Sequence, residues 1–141
     1  MTAAIVEGQY LEVSPGVRLH FASAGERGRP LLLFIHGFPE YWGAWAEVLP
    51  GFADRWYAVA PDLRGFNLSD KPADVSAYKA PALVGDLLGL IAGLGYARCS
   101  VVSHDWGGAL GWALAIARPQ QVERLVSINS PHPYTFWRAL N

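Results

Sequence analysis

The chain's 141 residues carry 12 acidic and 11 basic side chains, for a net charge of −1 and a pI near 6.4, a balance that argues against nucleic acid or an anionic membrane as partner. One cysteine, Cys99, excludes an intramolecular disulfide and fits a reducing compartment. The opening residues lack the basic stretch and apolar core of a signal peptide and no apolar run is long enough to span a bilayer, so a cytoplasmic protein of one ordinary domain is expected.

The elements follow in chain order. Gln9 to Val13 and Val17 to Ala24 read as a hairpin turned at Ser14-Pro15-Gly16. After a polar loop, Leu31 to Ile35 is a continuous apolar run suited to a strand buried on both faces, ending in His36-Gly37-Phe38-Pro39-Glu40. A short helix is expected over Trp42 to Val48, closed by Pro50-Gly51, then a strand over Trp56 to Ala60. Pro61 to Pro72 is rich in turn formers and reads as an ordered loop. A helix from about Pro81 to Leu94 follows, with Gly95 as its stop; Gly85, Gly89 and Gly93 form a stripe suited to close packing on a sheet. A short strand over Ser100 to Val102, a helix to Ala117, a strand over Val122 to Asn129 and a loop entering another helix complete the chain.

This alternation predicts an α/β fold, a doubly wound and mainly parallel sheet with helices on both faces. Sites in such sheets lie at the carboxyl ends of the strands, which places His36 to Glu40, the Asp62 loop, Asp105 and Pro131 to Tyr134 on one rim. No internal repeat or low-complexity segment interrupts the pattern.

The most informative stretch is Ser103-His104-Asp105-Trp106-Gly107, between an apolar strand and a helix. That context is the nucleophile elbow, with small residues at Ser103 and Gly107 where strand and helix backbones converge, and with aspartate in place of the usual serine. A carboxylate is already anionic at neutral pH, and a helix amino terminus favours that form. Asp105 can therefore attack a saturated electrophilic carbon directly, leaving an alkyl ester for water to cleave. The plainer alternative is an ordinary helix N-cap.

His36-Gly37-Phe38-Pro39-Glu40, Asp62 to Pro72, His104-Asp105-Trp106-Gly107-Gly108 and Asn129-Ser130-Pro131-His132-Pro133 together resemble, in order and spacing, the α/β-hydrolases and among them the soluble epoxide hydrolases. The resemblance implies that Asp105 is the nucleophile and that the backbone N–H groups of Phe38 and Trp106 form the oxyanion hole. His36, Gly37, Pro39, His104 and Gly107 then support the elbow. It also implies a small hydrophobic epoxide and water as substrates, cap-domain tyrosines that donate to the departing oxygen, and a histidine that activates water. No cofactor or metal is implied. Haloalkane dehalogenases, which resemble the chain through the same Asp-Trp pair, are the alternative. They commonly carry Asn after His-Gly, where this chain has Phe38, which offers no side-chain donor. Fluoroacetate dehalogenases typically place Arg after the nucleophile, where Trp106 stands.

After Asp105 the chain holds Glu123 and His132 as the remaining carboxylate and imidazole. Glu123 begins a strand and would lie about 20 Å from the rim at roughly 3.3 Å per residue. His132, between two prolines, reads as a turn residue or pocket wall. The expectation is therefore the N-terminal part of an α/β-hydrolase core over residues 1–141, with cap and C-terminal core absent, and a missing C-terminal part of the same fold as partner. That would account for the 52% apolar content and 6 Trp. A noncatalytic half-domain acting by association is the reading from another class. Asp62 and Asp70 are expected to brace their loop, with Arg64 as ion-pair partner; Trp42, Trp45, Trp56, Trp112 and Trp137 are expected in core or interface.

Overall fold

A computed structural model describes residues 3–141; Met1 and Thr2, part of the opening read above for a leader, lie outside them. The hairpin forms from β1 (Val6–Ser14) and β2 (Val17–Ala24). Gly16 supplies the left-handed turn at φ 74° that a side chain would resist. β3 (Leu31–Ile35) and β4 (Tyr57–Pro61) are buried along their whole length, as an apolar run covered on both faces must be. β5 (Cys99–His104) and β6 (Val122–Ile128) complete a sheet of six strands among the described residues, in the order β1-β2-β4-β3-β5-β6. β1, β2 and β4 pair antiparallel in succession, while β4, β3, β5 and β6 run parallel.

From β3 the chain steps outward to β4 and then returns across to β5, so crossovers of one hand place their helices on opposite faces. One face carries α2 (Ala80–Gly93) and α3 (Trp106–Ala117), whose Leu87, Leu90, Ile91, Leu110 and Leu114 pack on Leu33, Ile35, Val59 and Val101. On the other, Trp42, Leu49 and Ala53 pack on Leu32, Phe34, Ala58 and Ala60. That second layer corrects the expected helix over Trp42 to Val48. It is a 3-10 turn, Trp42–Trp45, followed by α1 (Leu49–Phe52), and Pro50 lies in the first turn of α1 rather than closing a helix. Proline is tolerated there because a first-turn N–H has no intrahelical acceptor.

The glycine stripe of α2 serves the hairpin. A Cβ on Gly89 would fall 1.9 Å from the Val13 carbonyl oxygen and one on Gly93 2.5 Å from Leu11, whereas Gly85 meets nothing within 4 Å and needs no such explanation. The last helix, α4 (Pro133–Leu140), buries none of its residues, and Val126 and Ile128 on the outer strand are exposed. Among the described residues no helix is long and apolar enough to cross a membrane, and no cluster of His, Cys, Asp and Glu could hold a metal ion.

Strand register assembles the rim. Ile35 lies beside Ser103 and His104 beside Ile128, so the loops after β3, β5 and β6 emerge together. Phe21 lies beside Pro61, which brings His20 next to Asp62.

Candidate active site

The elbow is built where β5 gives way to α3. Asp105 takes φ 57° and ψ −126°, a left-handed backbone that a residue with a Cβ adopts only when its surroundings enforce it. The surroundings leave little choice. A Cβ on Gly107 would sit 2.2 Å from the His36 carbonyl oxygen, so strand and helix approach as closely as they do only because that residue is glycine. Ser103 is fully buried beneath Gly111, where a Cβ would stand 2.7 Å from the serine Oγ. On the facing loop, a Cβ on Gly37 would lie 2.5 Å from that of Asp105. Small residues on three sides thus make room for one aspartate.

The Asp105 carboxylate does not cap its helix: among the described residues its side chain makes no capping bond to α3. Instead the Phe38 N–H donates to its Oδ2 at 3.1 Å. The N–H of Trp106, then that of Phe38, hold the carboxyl below the usual carboxylate range, with His104 adding a smaller attraction. Of the two amides expected to face an oxyanion, that of Phe38 hydrogen-bonds the carboxylate directly. The Phe38 and Trp106 side chains are exposed above it, at 61% and 69%.

The supporting residues explain why the loop after β3 holds its shape. His36 is completely buried. Leu63 N–H donates to its Nε2 at 3.0 Å, so the ring hydrogen is on Nδ1 and donates to the Gly37 carbonyl at 2.8 Å. Burial lowers its pKa, keeping it the neutral ring those two bonds require. Pro39 follows Phe38 through a cis peptide bond at the start of the turn closed by Glu40 N–H on the Gly37 carbonyl at 3.1 Å. The Glu40 carboxylate accepts the Gly37 N–H at 3.0 Å and faces His104 Nδ1 at 3.3 Å, tying this loop to the elbow. Sequence reasoning assigns Glu40 no role. The available signal was a carboxylate three residues after a backbone N–H at a strand end, the spacing by which a side chain returns to the main chain.

The loop after β4 holds a different carboxylate. Asp62, fully buried, accepts from Trp42 N–H at 2.8 Å, His20 Nδ1 at 2.9 Å, Asn67 Nδ2 at 3.0 Å and Leu68 N–H at 3.3 Å. Asp70 braces the same loop by accepting from Arg18 N–H at 2.8 Å. Arg64 is not their ion-pair partner. It turns inward to Asp86 on α2, with Nε on Oδ2 at 2.8 Å and Nη2 on Oδ1 at 2.6 Å, and it donates to the Ala77 carbonyl at 2.7 Å. The reason is electrostatic: Asp62 is already saturated, whereas Asp86 is buried and without Arg64 would be an uncompensated charge.

Two mainly apolar cavities flank Trp106. One of about 390 Å³ is lined by Asp105, Ala109, Pro131, Pro133 and Phe136; another of about 240 Å³ by Phe38, Leu63, Phe66, Tyr78 and Leu110. His132 is a turn residue: its Nδ1 accepts the Tyr134 N–H at 3.1 Å at the start of α4. Glu123 lies away from the rim, paired with Arg98 at 3.6 Å on the surface. The Cys99 thiol is buried and its pKa is pushed up to about 12 by that burial, which keeps it unreactive. Trp42 is buried, Trp45, Trp56 and Trp112 are half-buried, and Trp137 is exposed.

A mainly parallel sheet with an elbow residue at the carboxyl end of an interior strand, faced by a backbone donor from the loop after β3, is the framework of an α/β-hydrolase. The chain belongs to that family: the family model for the alpha/beta hydrolase fold matches residues 30–141. It is 44% identical over 121 residues to Epoxide hydrolase 4 of Mus musculus, covering 86% of this chain and 34% of that protein. With Epoxide hydrolase 1 of Caenorhabditis elegans it shares 45% identity over 130 residues, 92% of this chain and 32% of that one. The solved Bacillus megaterium epoxide hydrolase in complex with an inhibitor superposes with a TM-score of 0.89 at 45% identity, covering 94% of this chain and 45% of that structure. The chain thus spans about a third of the length of the curated relatives it matches.

Proposed function

We propose that this chain carries the nucleophilic portion of an epoxide hydrolase acting on a small hydrophobic epoxide. The observation that supports it best is the Asp105 carboxylate, free of its helix and met by the Phe38 N–H at 3.1 Å on Oδ2. With Oδ2 so engaged, Oδ1 attacks an oxirane carbon; the carbon–oxygen bond breaks, its electron pair stays on the departing oxygen, and that oxygen takes up a proton. A hydroxyalkyl ester of Asp105 remains. Water then adds to the ester carbon, and the resulting oxyanion is assigned to the N–H groups of Phe38 and Trp106, a reading supported by the Phe38 N–H already bonded to Oδ2. Collapse releases a vicinal diol and restores the carboxylate.

The donor to the departing oxygen and the base for water are assigned, in this reading, to a cap and C-terminal core outside these 141 residues. The imidazoles present have other partners: His20 lies against Asp62, His36 bonds within its loop, His104 faces Glu40, and His132 caps α4. The chain alone is therefore alkylated once and does not turn over.

Intact-mass measurement after incubation with a reactive terminal epoxide should find one adduct of the epoxide's full mass, mapped to Asp105 and absent from Asp105→Ala. Steady diol production by the 141-residue chain without a partner would refute the assignment of the missing groups. Haloalkanes provide the contrast. Halide release with an adduct of the alkyl group alone would favour dehalogenation, which the donor-free Phe38 side chain argues against. No adduct from either reagent, together with capture of a specific partner, would favour a noncatalytic half-domain.

A further inference from the structure

Trp112 lies on α3, outside the lining of the cavity beside Asp105, yet it holds at two points the turn after β6 that lines it. Its indole N–H donates to the Ser130 carbonyl at 3.1 Å. Its ring meets that of His132 edge-on, with centroids 4.8 Å apart and planes at 76°. The two contacts bracket Pro131, and Ser130, Pro131, Pro133 and Phe136 line the cavity together with Asp105. A second donor, Ser127 Oγ, reaches the same Ser130 carbonyl at 2.7 Å. Gly108 lets the loop come down onto α3, since a Cβ there would stand 2.3 Å from that of Ser130. Asn129, just before the clamp, is in the left-handed region at φ 55°, so the chain turns sharply where the clamp begins.

We propose that Trp112 is a positioning residue that sets the width of the apolar cavity facing Asp105, and so selects epoxides by the bulk of the substituent on the attacked oxirane. The inference rests on the reading of Asp105 as nucleophile. Trp112 touches no reacting atom; it acts through Ser130 and His132, by fixing a turn that without it is held by Ser127 and the cap of α4.

The test is the rate at which Asp105 is alkylated, followed by intact mass across a range of reagent concentrations, with compact propylene oxide and bulky styrene oxide. Trp112→Phe keeps an aromatic ring against His132 and removes the N–H. The ratio of the two rates is expected to change by about fivefold, the worth of one hydrogen bond, through the half-saturating concentration of styrene oxide, with the propylene oxide rate held within about twofold. A merely structural role would lower the unfolding temperature and slow both reagents alike, and an unchanged ratio in folded Trp112→Phe overturns the proposal. If that variant does not fold, Ser127→Ala, which removes the other donor to the same carbonyl, decides by the same ratio: a shift supports the proposal and an unchanged ratio overturns it. The unsubstituted chain is measured first. Absence of any Asp105 adduct there defeats the nucleophile reading and this inference with it, a result distinct from normal labelling with an unaltered ratio.

Discussion

The elbow after β5 and the loop after β4 each present an aspartate at the same rim, and the two carboxylates have opposite fates. Asp62 is fully buried and accepts four hydrogen bonds, from Trp42, His20, Asn67 and Leu68. Its lone pairs hold together the rim end of β2, the turn after β3 and its own loop. Asp105 accepts the Phe38 N–H at 3.1 Å and lines the cavity beside Trp106. A buried carboxylate spent on four hydrogen bonds is a brace, whereas one that keeps an oxygen accessible while its charge is stabilised suits the attack assigned to it under the proposed function. Asp86 belongs with Asp62: buried, clamped by Arg64 and further bonded by Ser14 Oγ at 2.8 Å. Surroundings, more than residue type, separate the proposed reagent from the braces.

Substitutions that exchange these fates are the sharpest probes. Asp105→Asn should reduce epoxide labelling by on the order of 10³-fold or more, since the neutral amide lacks the attacking anion, while the unfolding midpoint stays close to that of the unsubstituted chain. The same labelling should persist as pH is lowered to the ordinary carboxyl value of 3.8 and fall only beneath it, because the two amides favour the ionised form. Asp86→Ala should do the reverse. It leaves the Arg64 charge buried without its partner and should cost about 3–5 kcal/mol in urea unfolding. Gly107→Ala tests whether the elbow's shape is enforced by close approach. With a Cβ 2.2 Å from the His36 carbonyl oxygen, a loss of about 1–3 kcal/mol or more is expected, accompanied by slower labelling as Asp105 is displaced.

The smallest effect concerns His36. Its folded pKa is lowered from 6.5, so as pH falls the unfolded chain binds the proton first. Its contribution to stability is present above 6.5 and is lost as pH drops from there through the lower folded value. Urea midpoints recorded at descending pH should show this decline, and a flat profile in that range would contradict the neutral, doubly bonded ring.

Much of the fold can be read along the chain because its signals are local. Leu31 to Ile35 forms β3 at its expected bounds, since an apolar pentapeptide between Pro30 and His36-Gly37 has few other uses. The elbow is equally legible: small residues, an acidic apex and an apolar strand before it lie within a few positions. The Trp42 to Val48 helix failed for a local reason too, because Pro50 signals either the end of one helix or the start of the next, and packing on Phe34 and Ala58 selects the start. The Arg64 pairing lay beyond local reading. Asp62 and Asp70 are the neighbours of Arg64 in sequence, whereas Asp86 lies 22 residues on, and the choice rests on where α2 sets Asp86 against the hairpin.

Sequence by itself determined the succession of strands and helices and the bend that raises Asp105, because each depends on neighbouring residues and on the steric demands of a few small side chains. Tertiary structure alone decided which acids are spent on the scaffold, that Glu40 ties the loop after β3 to His104, and that Trp112 clamps the turn beyond β6. Those outcomes depend on contacts between segments far apart in the chain, where burial and the count of available donors settle what each polar group can still do.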